Sequence, residues 1–311
     1  MKVLVTGATG FVGRWLMRDL EAAGHEAVGT PPSSDLDITD RIAVEALVAA
    51  VRPEAIAHLA AISYGPDARR DPDRALAVNA GGTRAVLSAA ARHGNTPVLV
   101  ASSSDVYGSP APEDLPLRET APLRANQPYG LSKIGAEQAA VESGRERPVA
   151  VVRAFNHTGP GQRPEFVVPA LAARISQAAE RGDGAIPAGN VDVRRDFCDV
   201  RDVVRAYRLV LEALASGSLP SGHRTYNVAS GRAVAIREIV DELAAIVGIE
   251  VTIEVDPALV RRDDPPEIRG DASLIANDLG WRPTIPLDVT LRDVLAEIGS
   301  GRGPGVSATR S

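Results

Sequence analysis

The first half of the chain alternates between two periods, and that alternation limits the architectures open to it. "KVLVTG" (2–7), "EAVGT" (26–30), "AIAHLAA" (55–61), "PVLVASSS" (97–104) and "PVAVVRAFN" (148–156) are short apolar runs bounded by glycine, proline or polar residues. Such runs predict buried strands. Between them, apolar residues recur at helical spacing. One such stretch, "GFVGRWLMRDLEAAG", stops at Gly24, and "DRIAVEALVAAVRP" stops near Pro53. Others run from Asp73 to Ala91 and through the helix that carries "YGLSK", after a proline-rich loop over 109–128. Strands separated by helices are joined by crossovers, so they run parallel and bury both faces of their sheet. The expected fold class is α/β, a doubly wound parallel sheet.

Beyond Asn156 the rhythm loosens. Helices are expected over 165–181, 199–216 and 235–247, with short strands at "TYNVAS" (225–230) and "EVTIEVD" (250–256). We expect a first domain over 1–155 and a smaller α/β domain over 156–298, with part of the chain returning to the first sheet. The last residues, 299–311, read as a disordered tail.

Composition excludes several classes. The formal net charge of −6 argues against nucleic acid or an anionic membrane as partner. The single cysteine, Cys198, excludes an intrachain disulfide framework and a multi-cysteine metal site, and no metal is expected. No apolar run approaches the roughly 20 residues of a membrane span. "MKVLVTG" has none of the regions of a signal peptide, so a soluble cytoplasmic protein is expected.

The first strand-to-helix turn, "TGATGFVG", sets Gly7, Gly10 and Gly13 at three-residue intervals. Glycines there let backbone approach a pyrophosphate, whose charge a helix N-terminus favours. A glycine-rich turn alone is weak evidence. A strand before it and a helix after it are what predict dinucleotide binding. An acid ending the second strand would bond the ribose 2′-hydroxyl of NADH and repel the 2′-phosphate of NADPH. The chain reads "VGTPPSS" there and its first acid, Asp35, comes several residues late, so either cofactor is admitted. Arg14 is open to two readings, a partner for that phosphate or a solvated helix arginine.

Tyr129 stands four residues before Lys133. Of the 34 lysines and arginines only Lys2 and Lys133 are lysine, so a chain that writes arginine almost everywhere has written lysine beside this tyrosine. Residues four apart share a helix face, and a nearby ammonium lowers a phenol pKa from its usual value near 10. The pair is expected to handle a proton; the alternative is an exposed surface pair. "SSSDVYG" (102–108) follows the fourth strand, at the strand ends where open α/β sheets bind ligands. A hydroxyl there can hold a carbonyl oxygen, although a serine-rich turn is the plainer reading. His58 reads as a structural histidine, and Arg195 and Arg261 as phosphate ligands or solvated arginines.

Taken together, "TGATGFVG", "HLAA", Asn79 with "GGT", "SSSDVYG" and "YGLSK" resemble the extended branch of the short-chain dehydrogenase/reductase family, in the family's order. The resemblance implies a Rossmann domain followed by a smaller nucleotide-sugar domain. It implies that Tyr129 is the general acid/base, that Lys133 lowers its pKa and holds the nicotinamide ribose, and that Ser103 orients the carbonyl. It also implies dinucleotide contacts from Gly7, Gly10, Phe11, Val12, Gly13, Leu59, Ala60, Ala61, Asn79, Tyr129 and Lys133. Asp37 and Ile38 of "DLDITD" match the segment that touches adenine.

"RAFNHTGPGQ", "GNVDVRRDFCDVRDVVRAY", "TYNVASG" and "IRGDASLIANDLGWRPTIPL" narrow the likeness. They resemble branch members that reduce GDP-4-keto-6-deoxy-mannose and, more loosely, those that dehydrate GDP-mannose. On that likeness Asn156, Arg195 and Arg261 grip the diphosphate and ribose, and Val167 lies near the base. Ser63, Ser103, Ser104, Asp105 and Asp264 complete the implied substrate contacts. The relatives' Arg-Pro-x-Glu segment appears here as Arg261-Arg262-Asp263-Asp264, which leaves guanine and thymine both open.

The reaction implied is NAD(P)H-dependent reduction of the C4 ketone of a nucleotide-linked 4-keto-6-deoxy sugar, from GDP-4-keto-6-deoxy-D-mannose to GDP-D-rhamnose. Hydride passes from nicotinamide C4 to sugar C4 while Tyr129 protonates the oxygen. Alternatives are a 4,6-dehydratase, whose relatives place Glu at Asp105 and Thr at Ser103, an epimerase, or a cofactor-binding sensor. Intact Ser103, Tyr129 and Lys133 argue against the sensor. Members of this kind form homodimers through a four-helix interface, and small residues on the helix after "YGLSK" (Gly135, Ala136, Ala139, Ala140) predict close approach of another helix.

Overall fold

A computed structural model describes residues 1–145, 147–219, 223–260 and 264–300. The first half contains β1 (Lys2–Thr6), α1 (Phe11–Ala22), β2 (Glu26–Gly29), α2 (Arg41–Val51), β3 (Ala55–His58) and α3 (Gly65–Arg70). It continues with α4 (Pro72–Leu76), α5 (Gly82–Arg92), β4 (Val98–Ser103), α6 (Pro128–Ser143) and β5 (Val149–Ala154). The second half adds β6 (Asn156–Thr158), α7 (Val167–Arg181), β7 (Ala185–Ala188), β8 (Arg194–Asp199), α8 (Val200–Ser216) and β9 (His223–Val228). The last elements are β10 (Ala233–Ala235), α9 (Ile236–Val247), β11 (Thr252–Val255), β12 (Glu267–Ile268), α10 (Ser273–Leu279) and α11 (Leu287–Gly299).

Six strands form a parallel sheet in the order β2-β1-β3-β4-β5-β9. Successive side chains point to opposite faces, and both faces are covered. Val3 and Val5 join a core with Leu16 of α1 and Val203 and Val210 of α8. Leu4, between them, joins the opposite core with Val44 of α2, Val86 of α5 and Ala140 of α6. Each such aliphatic side chain contributes roughly 1.5–3 kcal/mol by its burial, which is why these strands read as continuous apolar runs. Strand order reverses between β1 and β3, so the crevice beyond their C-terminal ends is the switch point where sheets of this kind take ligands.

The chain does return to this sheet. β9 pairs with β5 from Val149↔His223 to Ala154↔Val228, and α8 shares a face with α1. Elsewhere β8 is the hub of a small sheet, flanked by antiparallel β10 and parallel β12 and also paired with β6. β7 and β11 form a parallel pair. α7, α9 and α11 pack around Leu171, Ile186, Leu243 and Val294.

The stretch 73–91 is helical as expected, with a π-turn over Ala77–Gly81 that separates α4 from α5 and carries Asn79. Other expectations need correction. The small residues of α6 face inward. Ala136, Ala139 and Ala140 are at most 5% exposed, and a Cβ on Gly135 would lie 3.0 Å from Ala80 Cβ. Their closeness serves packing within the chain rather than leaving room for a second copy. The sequence reading also omits α3, α10, α11 and the strands β6, β7, β8, β10 and β12. α11 extends to Gly299, and the remainder of the expected tail, 301–311, lies outside the described residues. Among the described residues no helix is long and apolar enough to cross a membrane, and no cluster of three or more His, Cys, Asp or Glu could hold a metal.

Candidate active site

The Thr6 hydroxyl accepts hydrogen bonds from Leu59 N and Ala60 N, each 3.2 Å, tying the glycine turn to the segment after β3. Gly7 has φ +71°, and a Cβ there would lie 2.8 Å from Ala60 N. A Cβ on Gly13 would lie 2.2 Å from Gly7 O. The turn therefore excludes side chains at both positions. α1 starts at Phe11 with Gly10 as an N-cap that offers no side chain, and its first turn contains no acid. Its leading N–H groups carry partial positive charge with no carboxylate competing for them, which suits a dinucleotide diphosphate. Gly7, Gly10, Phe11, Val12 and Gly13 thus lie beside Leu59, Ala60 and Ala61 at the ends of β1 and β3.

The loop after β2 is held by its own bonds. Gly7 N donates to Thr30 Oγ1 at 3.3 Å, and Asp35, exposed, accepts from Ser34 Oγ at 2.9 Å. Asp37 accepts from Thr39 N and Oγ1 and pairs with Arg74 at 3.1 Å; these bonds, the Thr39 amide foremost, hold its carboxyl below the usual range. Ile38 is buried against Gly82. Arg14 donates to Thr9 O at 2.7 Å and Gly161 O at 3.0 Å, so it ties the glycine turn to the loop after β6. Trp15 Nε1 reinforces that tie by donating to Pro160 O at 2.9 Å, and the Phe11 and His157 rings stack with centroids 6.3 Å apart.

His58 proves structural. It bridges Thr6 (2.8 Å) and Thr83 (3.1 Å), and burial, helped by the Lys133 charge, pushes its imidazole down to about 3. Asn79 clasps the Ile62 backbone, accepting from its N at 2.8 Å and donating to its O at 3.0 Å. The same amide donates to Ser132 Oγ at 2.8 Å, and Ser132 donates to Tyr129 O at 2.7 Å. Asn79 therefore braces the first turn of α6.

The last three residues of β4 hold three residues of α6 spaced four apart. Lys133 Nζ donates to Ala101 O at 2.8 Å, and Ser102 Oγ donates to Glu137 Oε1 at 2.5 Å. The Ser103 hydroxyl is hydrogen-bonded to Tyr129 and also accepts from Asp105 N at 3.2 Å. Spacing by four puts Tyr129, Lys133 and Glu137 on one helix face. Burial, then the Asp105 carboxylate, raises the Tyr129 phenol, with the Ser103 bond opposing. Burial lowers Lys133 to about 8, with Glu137 opposing. The expected effect of Lys133 on the phenol is opposed in the free chain by burial, which acts in the other direction. The ammonium lies 6.0 Å from the Tyr129 ring centre and bonds Ala101, so loss of water dominates at the phenol. At pH 7 the site pairs a protonated phenol, ready to give a proton, with a cation.

Among the expected substrate residues, Ser63, Asp105 and Val167 are exposed, Asn156 is half-buried and Ser104 is buried. Arg195, buried on β8, donates to Arg194 O (2.7 Å), Pro265 O (2.9 Å) and the Asp264 carboxylate. Arg195 and Asp264 thus hold one another. Arg261 lies outside the described residues.

Sequence reasoning missed two groups. The Arg163 guanidinium lies 5.5 Å from the Tyr64 ring and 5.7 Å from the Phe166 ring, and the two rings meet edge to face at 5.5 Å. This cluster joins the segment after β3 to the start of α7, a pairing no local spacing announces. Glu137 and Arg153 did carry a signal: a carboxylate four residues after Lys133, and an arginine inside the apolar run "VAVVRA".

A glycine turn at the switch point of a parallel sheet, with a tyrosine, lysine and serine meeting at the end of the next strand over, defines a nicotinamide-dependent short-chain oxidoreductase. The chain belongs to the NAD dependent epimerase/dehydratase family, whose model matches residues 3–229. It is 36% identical over 302 residues to GDP-6-deoxy-D-mannose reductase of Pseudomonas aeruginosa, covering 95% of this chain and 96% of that one. It is 31% identical to GDP-6-deoxy-D-talose 4-dehydrogenase of Aggregatibacter actinomycetemcomitans, covering 90% of this chain and 92% of the other. Its fold superimposes with a TM-score of 0.86 on the structure of RMD from Pseudomonas aeruginosa complexed with NADPH, at 35% identity, covering 96% and 99% of the two chains.

Proposed function

We propose that the protein reduces the C4 ketone of a nucleotide-linked 4-keto-6-deoxy sugar with NADPH or NADH, converting GDP-4-keto-6-deoxy-D-mannose to GDP-D-rhamnose. The observation that carries this chemistry is the meeting of Ser103, Tyr129 and Lys133 at the end of β4. Likeness to GDP-6-deoxy-D-mannose reductase over nearly the whole of both chains supports the sugar and its base. Likeness to a 4-dehydrogenase of a GDP-linked 6-deoxy sugar supports C4 as the position.

The bound dinucleotide supplies a hydride from its reduced nicotinamide. Ser103 donates a hydrogen bond to the substrate carbonyl oxygen, and Tyr129 gives that oxygen its proton as negative charge develops there. Lys133 supplies a positive charge beside the phenolate that remains. The open N-terminus of α1 holds the dinucleotide diphosphate. Gly7, Gly10, Phe11, Val12 and Gly13 form that cradle, with Leu59, Ala60, Ala61 and Asn79 beside it and Asp37 and Ile38 toward the adenine. Ser63, Ser104, Asp105, Asn156, Val167, Arg195 and Asp264 form the substrate side. NADPH is accepted at least as well as NADH, because Asp37 is tied to Arg74 and no acid ends β2. We further infer a cytoplasmic homodimer joined through the exposed stripe of α6 that contains Leu131 and Val141.

The test is product identification after incubation with GDP-4-keto-6-deoxy-D-mannose and either reduced cofactor. GDP-D-rhamnose is expected. A talose-configured product would reassign the face of attack, and untouched substrate would contradict the proposal.

A further inference from the structure

Glu137 lies one helical turn beyond Lys133, and both side chains are buried, at 4% and 5% exposure. On a helix that spacing brings the two Cβ atoms within about 5–6 Å. The Glu137 carboxylate is held from two strands at once. Arg153 on β5 donates to it from Nε at 2.9 Å and from Nη2 at 2.7 Å, and Ser102 on β4 donates at 2.5 Å. Ser102 and Arg153 are register partners in the β4–β5 pair. Arg153 is fixed in turn by the Tyr107 hydroxyl at 3.0 Å and Glu119 O at 2.9 Å. Tyr107 donates to Asn227 Oδ1 on β9 at 2.7 Å, so the network spans three adjacent strands.

A buried ion pair is weak evidence for stability, because desolvation offsets most of its attraction. Its position here is more informative. It stands directly behind the lysine and pins the residue that precedes Ser103. We propose that Glu137 is a positioning residue for the reaction: clamped by Ser102 and Arg153, it locks the end of β4 to α6 and keeps a negative charge one turn behind Lys133. This rests on the reaction proposed above. Other titratable groups act on this stripe: Lys133 acts on His58 of β3, Asp105 and Tyr207 act on Tyr129, Arg153 of β5 bonds Glu137, and Glu137 acts on His223 of β9. His58 stays neutral, and Asp105 acts on Tyr129. Glu137 is the group that favours the charged form of Lys133 against burial.

With only Lys2 and Lys133 in the sequence, lysine labelled with ¹³C at Cε gives two side-chain signals, and Lys2→Arg identifies which belongs to Lys133. The Lys133 signal of the full chain is titrated in the wild type, in Glu137→Asp, which withdraws the charge by one methylene, and in Glu137→Gln, which removes it. The expected order of midpoints is wild type, then Asp, then Gln, with Gln lower than wild type by about one pH unit. The alkaline limb of sugar reduction should move in step. Should Glu137→Gln not fold, the Glu137→Asp comparison carries the same test. Equal midpoints in the folded proteins would overturn the proposal even if turnover fell. Ordered midpoints in a protein that reduces no sugar would instead refute the reaction and leave the charge assignment standing.

Discussion

Lys133 places its ammonium 6.0 Å from the centre of the Tyr129 ring and gives its hydrogen bond to the Ala101 carbonyl, not to the phenol. Tyr129 is a half-buried, protonated acid whose hydroxyl is shared with Ser103. Tyr129→Phe should retain dinucleotide binding and lower turnover by about 10²–10⁴-fold. Fluorescence titration with NADPH and steady-state rates measure the two separately; near-normal turnover would contradict the catalytic assignment.

The same geometry sets a pH dependence. Lys133, lowered to about 8 by burial, is a cation below that pH and loses its charge above it. The Tyr129 phenol is displaced in the other direction and stays protonated throughout this range. Sugar reduction should therefore hold from neutral pH and fall as pH rises through about 8. A rate profile flat to pH 10 would contradict this assignment.

His58 predicts an acid weakness. Its folded value of about 3 lies below the ordinary 6.5, so between them the unfolded chain binds the extra proton. Stability should fall as pH drops from about 6.5 toward 3. His58→Asn should lessen that fall while costing about 1–3 kcal/mol at pH 7 through the partners Thr6 and Thr83 lose. Urea unfolding at pH 7 and pH 5 checks both signs.

The glycine turn separates tolerated from forbidden side chains. Gly13→Ala would set a Cβ 2.2 Å from Gly7 O, whereas at Gly10 the same distance is 3.1 Å. Gly13→Ala should destabilise by about 1–3 kcal/mol and abolish dinucleotide binding, and Gly10→Ala should do less of both. Thermal unfolding with and without NADPH distinguishes them.

Much of this was legible because it is local. The runs that became β1 to β5, the three glycines and the Tyr–Lys spacing each lie within a few residues of one another. What stayed hidden depends on chain far away. Arg195 meets Asp264 only because β12 pairs with β8, and Tyr64 meets Phe166 only through the packing of α7 beside the switch point. The strands of the second half are two to six residues long, too short for alternation to stand out. The small residues of α6 were visible, but sequence does not say which neighbour closes over them; here it is the π-turn and α4.

Assembly follows from the residues α6 leaves outside. Leu131 is 48% and Val141 42% exposed, so a dimer would use them rather than the inward-facing alanines. Sedimentation at micromolar concentration should show a homodimer, and Leu131→Asp should shift it toward monomer. A wild-type monomer would contradict the assembly.

Reductase and dehydratase differ most plainly in what becomes of the cofactor. A reductase consumes one reduced nicotinamide for each sugar, while a 4,6-dehydratase takes a hydride from C4 and returns it to C6. The decisive measurement mixes the protein and NADPH with GDP-4-keto-6-deoxy-D-mannose or, in parallel, with GDP-mannose, and follows nicotinamide absorbance against loss of the C4 ketone or its appearance. One NADPH lost per sugar reduced is the predicted result. Conversion of GDP-mannose itself, with no net change in cofactor, would contradict it and give Asp105 the role of dehydratase acid.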